Sequence, residues 1–111
     1  MSLPDMKGLL ETAQRIQSEV ARVRETLASK TVTGETGGGL VHCVANGKGE
    51  IVSITIDPAL LSTLSADDKR MIEDLTAGAV NVALERAREL AQAELGAATG
   101  GLALPPGLFG G

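Results

Sequence analysis

The sequence predicts an α+β domain with the element order α-β-β-β-(short α)-α, in which two long helices flank a three-stranded antiparallel sheet. Three observations carry this. Apolar residues recur at helical spacing over residues 5–28. Short β-branched runs follow, separated by glycine clusters and an Asn-Gly dipeptide. A second long amphipathic stretch then opens at Ser65.

Residues 5–28 read as one helix with Asp5 as its cap, although Pro4 and Gly8 blur the start. Its apolar positions are Met6, Leu9, Ala13, Ile16, Val20, Val23 and Leu27, alternately three and four residues apart. That is a strict heptad stripe, with Met6, Ala13, Val20 and Leu27 at a and Leu9, Ile16 and Val23 at d. A stripe this narrow is a helix–helix seam rather than the broader face of a helix lying on a sheet. At 1.5 Å per residue the three heptads give a rod of roughly 33 Å.

The sheet comes next. Thr31, Val32 and Thr33 form a short strand, which residues 34–39 (Gly-Glu-Thr-Gly-Gly-Gly) are expected to break. Residues 40–45 form a second strand. Asn46-Gly47 then signals a two-residue hairpin whose turn positions favour positive φ. Residues 51–56 form the third strand, with Val52, Ile54 and Ile56 on a buried face and Ser53 and Thr55 on a wetter one. Asp57-Pro58 ends that strand and starts a helical turn. Ser65 caps the second long helix, with Asp67 and Asp68 at the positive end of its dipole. This helix runs to about Leu95, and Ala77, Gly78 and Ala79 let another backbone come close. The domain thus spans residues 1–95, and residues 96–111, with six Gly and two Pro, form a flexible tail. A three-stranded sheet is marginal alone, and the seam exceeds what that sheet can cover. Both deficits disappear if two chains pair, so a homodimer is expected with residues 6–27 as its candidate seam.

Composition removes most kinds of chemistry. The 111 residues include no Trp, no Tyr, one Phe, one Cys and one His. A His/Cys metal centre needs three or four ligands, and a disulfide framework needs paired cysteines. Stacking platforms for single strands need aromatic rings. The glycine run at 34–39 leads into a strand and lacks the Gly-Lys-Ser/Thr of a phosphate loop, so it reads as a bend or bulge. His42 and Cys43 are strand neighbours pointing to opposite faces, which suits a surface or interface imidazole and a small core thiol. Asp67, Asp68, Glu73 and Asp74 read as helix-start residues and a solvated face. No catalytic set and no cofactor site emerge, and an enzyme is not expected. No run of 18 apolar residues suggests a membrane span, and no basic segment followed by an apolar run suggests a secretory signal. One unpaired Cys fits a reducing compartment, so the cytoplasm is the expected location.

The formal net charge is −4, but it is unevenly spread: +1 over residues 1–30, −2 over residues 31–57 and −3 over residues 58–111. On the first helix Lys7 falls at heptad position b and Arg15 and Arg22 at c, whereas Glu11 and Glu25 fall at f and Glu19 at g. One flank of the seam is therefore basic and the other acidic. Arg24, at e, and Lys30 extend the positive charge toward the sheet. Ordinary i,i+4 pairing of Lys7 with Glu11 and of Glu11 with Arg15 is the competing account of these charges.

Three segments resemble the YbaB/EbfC family of nucleoid-associated proteins. These are Val32-Thr33-Gly34-Glu35 followed by Gly39-Leu40-Val41, the strand end leading into Asp57-Pro58-Ala59-Leu60-Leu61, and Leu104-Pro105-Pro106-Gly107-Leu108. Glu73-Asp74-Leu75 and Asn81 also fit the family's pattern, and the resemblance covers nearly the whole chain in order. It implies a cytoplasmic, nucleoid-associated homodimer with helices projecting from a central body of sheets. It also implies binding to double-stranded DNA, with roles in nucleoid organisation and gene regulation, and it brings no catalytic motif. Here the second helix is acidic and Ala-rich and the tail lacks basic residues, so only a local basic surface serves. The expected donors to the phosphate backbone are Lys7, Arg15, Arg22, Arg24, Lys30, Arg86 and Arg88, with low sequence specificity. The alternative is a protein-interaction module that grips a protein partner, with DNA association secondary.

Overall fold

The computed structural model describes residues 3–62 and 65–98. Its elements are α1 (Leu3–Ser29), β1 (Thr31–Thr36), β2 (Val41–Asn46), β3 (Ile51–Ile56), a 3-10 turn (Pro58–Leu61) and α2 (Ala66–Ala98). The sheet is antiparallel in the order β1-β2-β3. This is the predicted α+β architecture, and the differences from expectation lie in how the pieces touch.

The core is a thin aliphatic layer. Val41, Cys43 and Ala45 on alternate positions of β2 pack against Ala79, Ala83 and Ala87 on α2, all essentially inaccessible to solvent. An alanine every fourth residue makes a smooth groove along α2, and β1 lies directly in it. A Cβ on Gly34 would stand 2.4 Å from the Ala79 carbonyl oxygen and 2.5 Å from the Ala83 nitrogen. Gly34 therefore does not end the strand, as the sequence suggested. It continues β1 through Thr36 and is glycine because a helix backbone occupies the space of a side chain. The break comes later, at Gly37, Gly38 and Gly39, which all have positive φ. The backbone expected to approach Gly78 is also that of the same chain, since a Cβ on Gly78 would meet Thr36 Cγ2 at 3.1 Å.

The second turn also departs from the expected form. Asn46 N donates to Glu50 O (2.9 Å) and Gly49 N donates to Asn46 O (3.0 Å), with positive φ at Gly49 and at neither Asn46 nor Gly47. The hairpin is thus a three-residue loop closed by a glycine bulge, not a two-residue turn. The Asn46 side chain braces it, Oδ1 accepting from Lys48 N and Glu50 N and Nδ2 donating to Glu50 Oε1. Gly47 has a different task. Its N–H donates to the Leu27 and Lys30 carbonyls at 2.9 and 3.0 Å, satisfying the open end of α1. A Cβ there would stand 2.6 Å from Leu27 Cδ2.

Strand β3 is exposed almost throughout, contrary to the expected buried face. A bulge between Val44 and Ala45 makes Ile51 the partner of Ala45 and leaves Val52 unpaired in the register. Ile51, Ile54 and Ile56, rather than Val52, Ile54 and Ile56, therefore share the face of Ala45, Cys43 and Val41. Helix α2 covers β1 and β2 but stops short of β3, so Ile51 and Ile54 remain 41% and 45% exposed.

Both helices exceed the expected limits by a few residues. α1 begins at Leu3, which puts Asp5 inside the helix instead of at its cap. α2 starts with the expected cap, a reciprocal box in which Asp68 N donates to Ser65 Oγ and Ser65 N to Asp68 Oδ2. It continues to Ala98, so residues 96–98 expected in the tail are helical. The rest of the expected tail lies outside the described residues. Asp57 caps the 3-10 turn as anticipated, accepting from Ala59 N at 2.8 Å.

The two helices run antiparallel where they meet. Lys30, just after α1, pairs with Glu94 near the end of α2, and Arg22 feels the Glu94 charge. The residues of α1 that lose solvent are Ile16, Glu19, Val20, Val23, Thr26 and Leu27, and on α2 they include Ala87, Leu90, Ala91, Glu94, Leu95 and Ala98. The overlap is thus about three turns, with the remainder of α1 extending past the end of α2. Two helices of 27 and 33 residues overlapped in this way account for the 74 Å length of a body only 20 × 17 Å across.

Candidate nucleic-acid interface

The projecting part of α1 is the most prominent surface of the molecule, and its charges follow from the heptad arithmetic. Arg15 and Arg22 stand two helical turns apart on one side, about 10 Å along the axis. Lys7 lies two further turns toward the free end and is displaced around the helix. All three side chains are exposed.

The expected donors differ in what already holds them. Arg22 donates through Nε and Nη2 to Glu19 Oε2, at 3.2 and 2.8 Å. That hydrogen bond, and then the Glu19 charge, raises the Arg22 pKa further above its usual value. Arg88 is held by Glu85 in the same i,i+3 geometry at 2.6 Å. Lys30 is committed to Glu94. Arg86 lies beside the sheet edge and donates to the Thr33 carbonyl of β1, a role in the fold. Arg24 is exposed and also has a partner of its own. Lys7 and Arg15 make no ion pair among the described residues, so the i,i+4 pairs with Glu11 that the sequence allows are not formed. The structure therefore divides the seven donors. Two are unpaired on the projecting helix, Arg22 is next to them but half-neutralised, and Lys30, Arg86 and Arg88 are engaged elsewhere.

One unpaired cation did not stand out in the sequence. Arg70, on the first turns of α2, lines a shallow recess of about 390 Å³ with Thr36, Asp67, Met71, Asp74 and Leu75. Two aspartates around one guanidinium leave this recess negative, which disfavours phosphate there. The only sequence signal for Arg70 was its position among these acids, and it pointed away from an anion site.

The seam also divides. Val23 and Leu27 are 2% and 3% exposed, packed within the chain, whereas Met6 and Leu9 on the same stripe are 49% and 57% exposed. His42 is half-buried and pairs in register with Glu35 and Thr55. Cys43 is wholly buried and burial pushes its thiol pKa up, as expected of a core residue. No cluster of three or more metal-ligating side chains occurs among the described residues, and none of their helices is long and apolar enough to cross a membrane.

Comparison with known proteins agrees with this architecture. The chain is 43% identical over 101 residues to a nucleoid-associated protein of Desulfotalea psychrophila, covering 91% of this chain and 92% of that protein. It is 41% identical over 103 residues to a nucleoid-associated protein of Pseudomonas fluorescens, covering 93% and 92%. A crystal structure of an uncharacterised Helicobacter pylori protein superimposes with a TM-score of 0.65 at 27% identity, covering 84% of this chain and 91% of that one. The family model for the YbaB/EbfC DNA-binding family matches residues 1–102, and the chain belongs to that family.

Proposed function

We propose that this protein is a nucleoid-associated homodimer that binds double-stranded DNA through the basic flank of its projecting helix. It has low sequence specificity and a role in nucleoid organisation and gene regulation. The observation that carries the reading is the pair of unpaired cations, Lys7 and Arg15, on a helix that stands clear of the acidic remainder. Family membership supplies the DNA class. Helix α1 offers phosphate donors without a set of side chains suited to reading base edges, so contacts are to the backbone and discrimination is by duplex shape.

The homodimer follows from the uncovered sheet. Ile51 and Ile54 face the same side as the core, yet no element of the chain covers them. Burying each fully against a partner is worth about 1.5–3 kcal/mol. A two-fold pair presents the α1 flank twice.

The test is a fluorescence-anisotropy titration of a duplex at two salt concentrations. With Lys7 and Arg15 from both copies making four phosphate contacts, raising salt from about 50 to 200 mM should weaken binding roughly 100-fold. Binding that is absent at low salt, or indifferent to salt, rules the proposal out. Arg15→Glu should weaken binding more than Arg22→Glu, because Glu19 already offsets the Arg22 charge, and both variants should remain dimers. Equal affinity of wild type and Arg15→Glu would remove α1 from the interface. A grip on a protein partner is the second reading, favoured by the engagement of Lys30, Arg86 and Arg88 within the fold. Partners that survive nuclease treatment in a pull-down would support it.

A further inference from the structure

The apolar stripe of α1 has one half covered and one half bare. From Ile16 to Leu27 it is lined by α2, and from Met6 to Ala13 nothing in the described structure lies on it. Met6, Leu9 and Leu10 are 49%, 57% and 63% exposed. Helix α2 stops where the bare half begins. Its last residue, Ala98, is still half-buried, and the helix is then heading toward the free end of α1. The sequence continues for thirteen residues beyond that point.

We propose that residues 102–109 of the same chain run back along the bare half of α1 and cover Met6, Leu9 and Ala13. Composition and length both fit. Residues 99–111 contain no charged side chain but include Leu102, Leu104, Leu108 and Phe109, the last being the single aromatic residue of the protein. Pro105-Pro106 favours an extended chain with few free donors, which suits a strap laid along a helix and not a third helix. At 3.1 Å per residue, Leu104 and Leu108 are spaced by about 12 Å. Met6 and Ala13, seven helical residues apart, are spaced by about 10 Å. Thirteen extended residues reach about 40 Å, against roughly 15 Å of helix to be covered.

A second copy of α1 is the rival occupant, and the bare stripe is too short for it. Met6, Leu9 and Ala13 span little more than one heptad, whereas a sustained coiled coil needs three or four. A tail already tethered at the edge of the stripe also binds at high effective concentration and loses little further freedom in docking.

The experiment uses the full chain. A nitroxide is attached to Thr12→Cys in a Cys43→Ala background. Thr12 flanks the stripe at heptad position g, so no stripe residue is removed. Amide signals of Leu102, Leu104, Leu108 and Phe109 should lose most of their intensity, and the loss should disappear when Met6 and Leu9 are both changed to Ser. Unbroadened tail amides overturn the proposal. Broadening that survives in a mixture of labelled unenriched chains and unlabelled isotope-enriched chains means that the tail of a second copy docks, which overturns the same-chain strap. A measurement that needs no cysteine guards against a misfolded Cys43→Ala variant: Leu108→Ser with Phe109→Ser should shift the Met6 methyl resonance and leave Met71 unchanged. An unmoved Met6 signal overturns the proposal equally.

Discussion

Replacing Gly34 with alanine tests the packing that positions both helices. The added Cβ would lie 2.4 Å from the Ala79 carbonyl oxygen, 2.5 Å from the Ala83 nitrogen and 3.1 Å from the Ala83 Cα. All three are backbone atoms, so no side chain can swing aside. Helix α2 must retreat from β1 by about 1 Å to reach ordinary contact, and a gap of that size forfeits a quarter to a half of each affected dispersion contact. Ala79, Ala83 and Ala87 then lose part of their packing on Val41, Cys43 and Ala45, which are the whole of the buried sheet layer. Overpacking of this kind costs about 1–3 kcal/mol, and the better strand preference of alanine returns about 0.5–1 kcal/mol. A net loss of about 2 kcal/mol corresponds to a Tm lower by roughly 8–16 °C for a domain of this size. The assay is thermal unfolding followed by far-UV circular dichroism at one fixed protein concentration, because a dimer's Tm depends on concentration. Gly8→Ala is the control. Nothing lies within 4 Å of its Cβ position in α1, so it should hold or raise stability by up to about 1 kcal/mol. An unchanged or raised Tm for Gly34→Ala would refute the contact between β1 and α2 on which the fold description rests.

Three further substitutions or conditions probe other joints. Gly47→Ala should cost about 1–2 kcal/mol in the same assay, since its Cβ meets Leu27 Cδ2 at 2.6 Å and the Leu27 carbonyl at 3.0 Å; a stable variant would mean that the hairpin does not cap α1. Ile54→Lys should leave the circular dichroism spectrum unchanged and shift sedimentation velocity from dimer to monomer, and a dimer that persists would move the interface away from β3. Cys43 should resist thiol reagents in the native protein and react on unfolding. Its folded-state pKa is raised by burial, so its contribution to stability is complete below the unfolded thiol value of about 8.5 and is lost as pH rises from there through the folded value. Rapid native-state labelling at pH 7 would show that the core layer opens.

Much of this fold is legible in the sequence because periodicity is a local property. The 3-4 spacing from Met6 to Leu27, the capping box at Ser65 and the Asp57-Pro58 turn are each written in a few adjacent residues. What misleads is whatever depends on a distant neighbour. A glycine inside β-branched residues signals either a break or a close approach, and Gly34 is the second only because Ala79 and Ala83 lie across from it. Gly47 likewise reads as half of a turn dipeptide until Leu27 is seen against it. The bulge in β3 shifts the buried face from Val52 to Ile51, and no residue in that strand announces it. The charges follow the same rule. The sequence identifies every cation, but Lys30 is engaged by a carboxylate 64 residues away and Arg86 by a carbonyl 53 residues away. Only folding separates these from Lys7 and Arg15.

That separation also bears on how a chain of net charge −4 can bind a polyanion. Net charge governs only over distances that salt leaves unscreened. At physiological ionic strength the Debye length is about 8 Å. Lys7 lies fifteen residues from Arg22 along α1, or about 22 Å, and Arg22 marks the level at which α2 and its Glu94 end. The free end of α1 is thus more than two Debye lengths from the acid-rich helix, and a phosphate approaching Lys7 meets the local charge instead of the total. The acidic body retains a role at longer range. It opposes any docking that brings α2 or the Asp67–Asp74 recess to the duplex, which restricts productive approach to the projecting flank. An acidic total and a basic tip are therefore compatible parts of one design, in which repulsion from the body sets orientation and attraction at α1 supplies the contact.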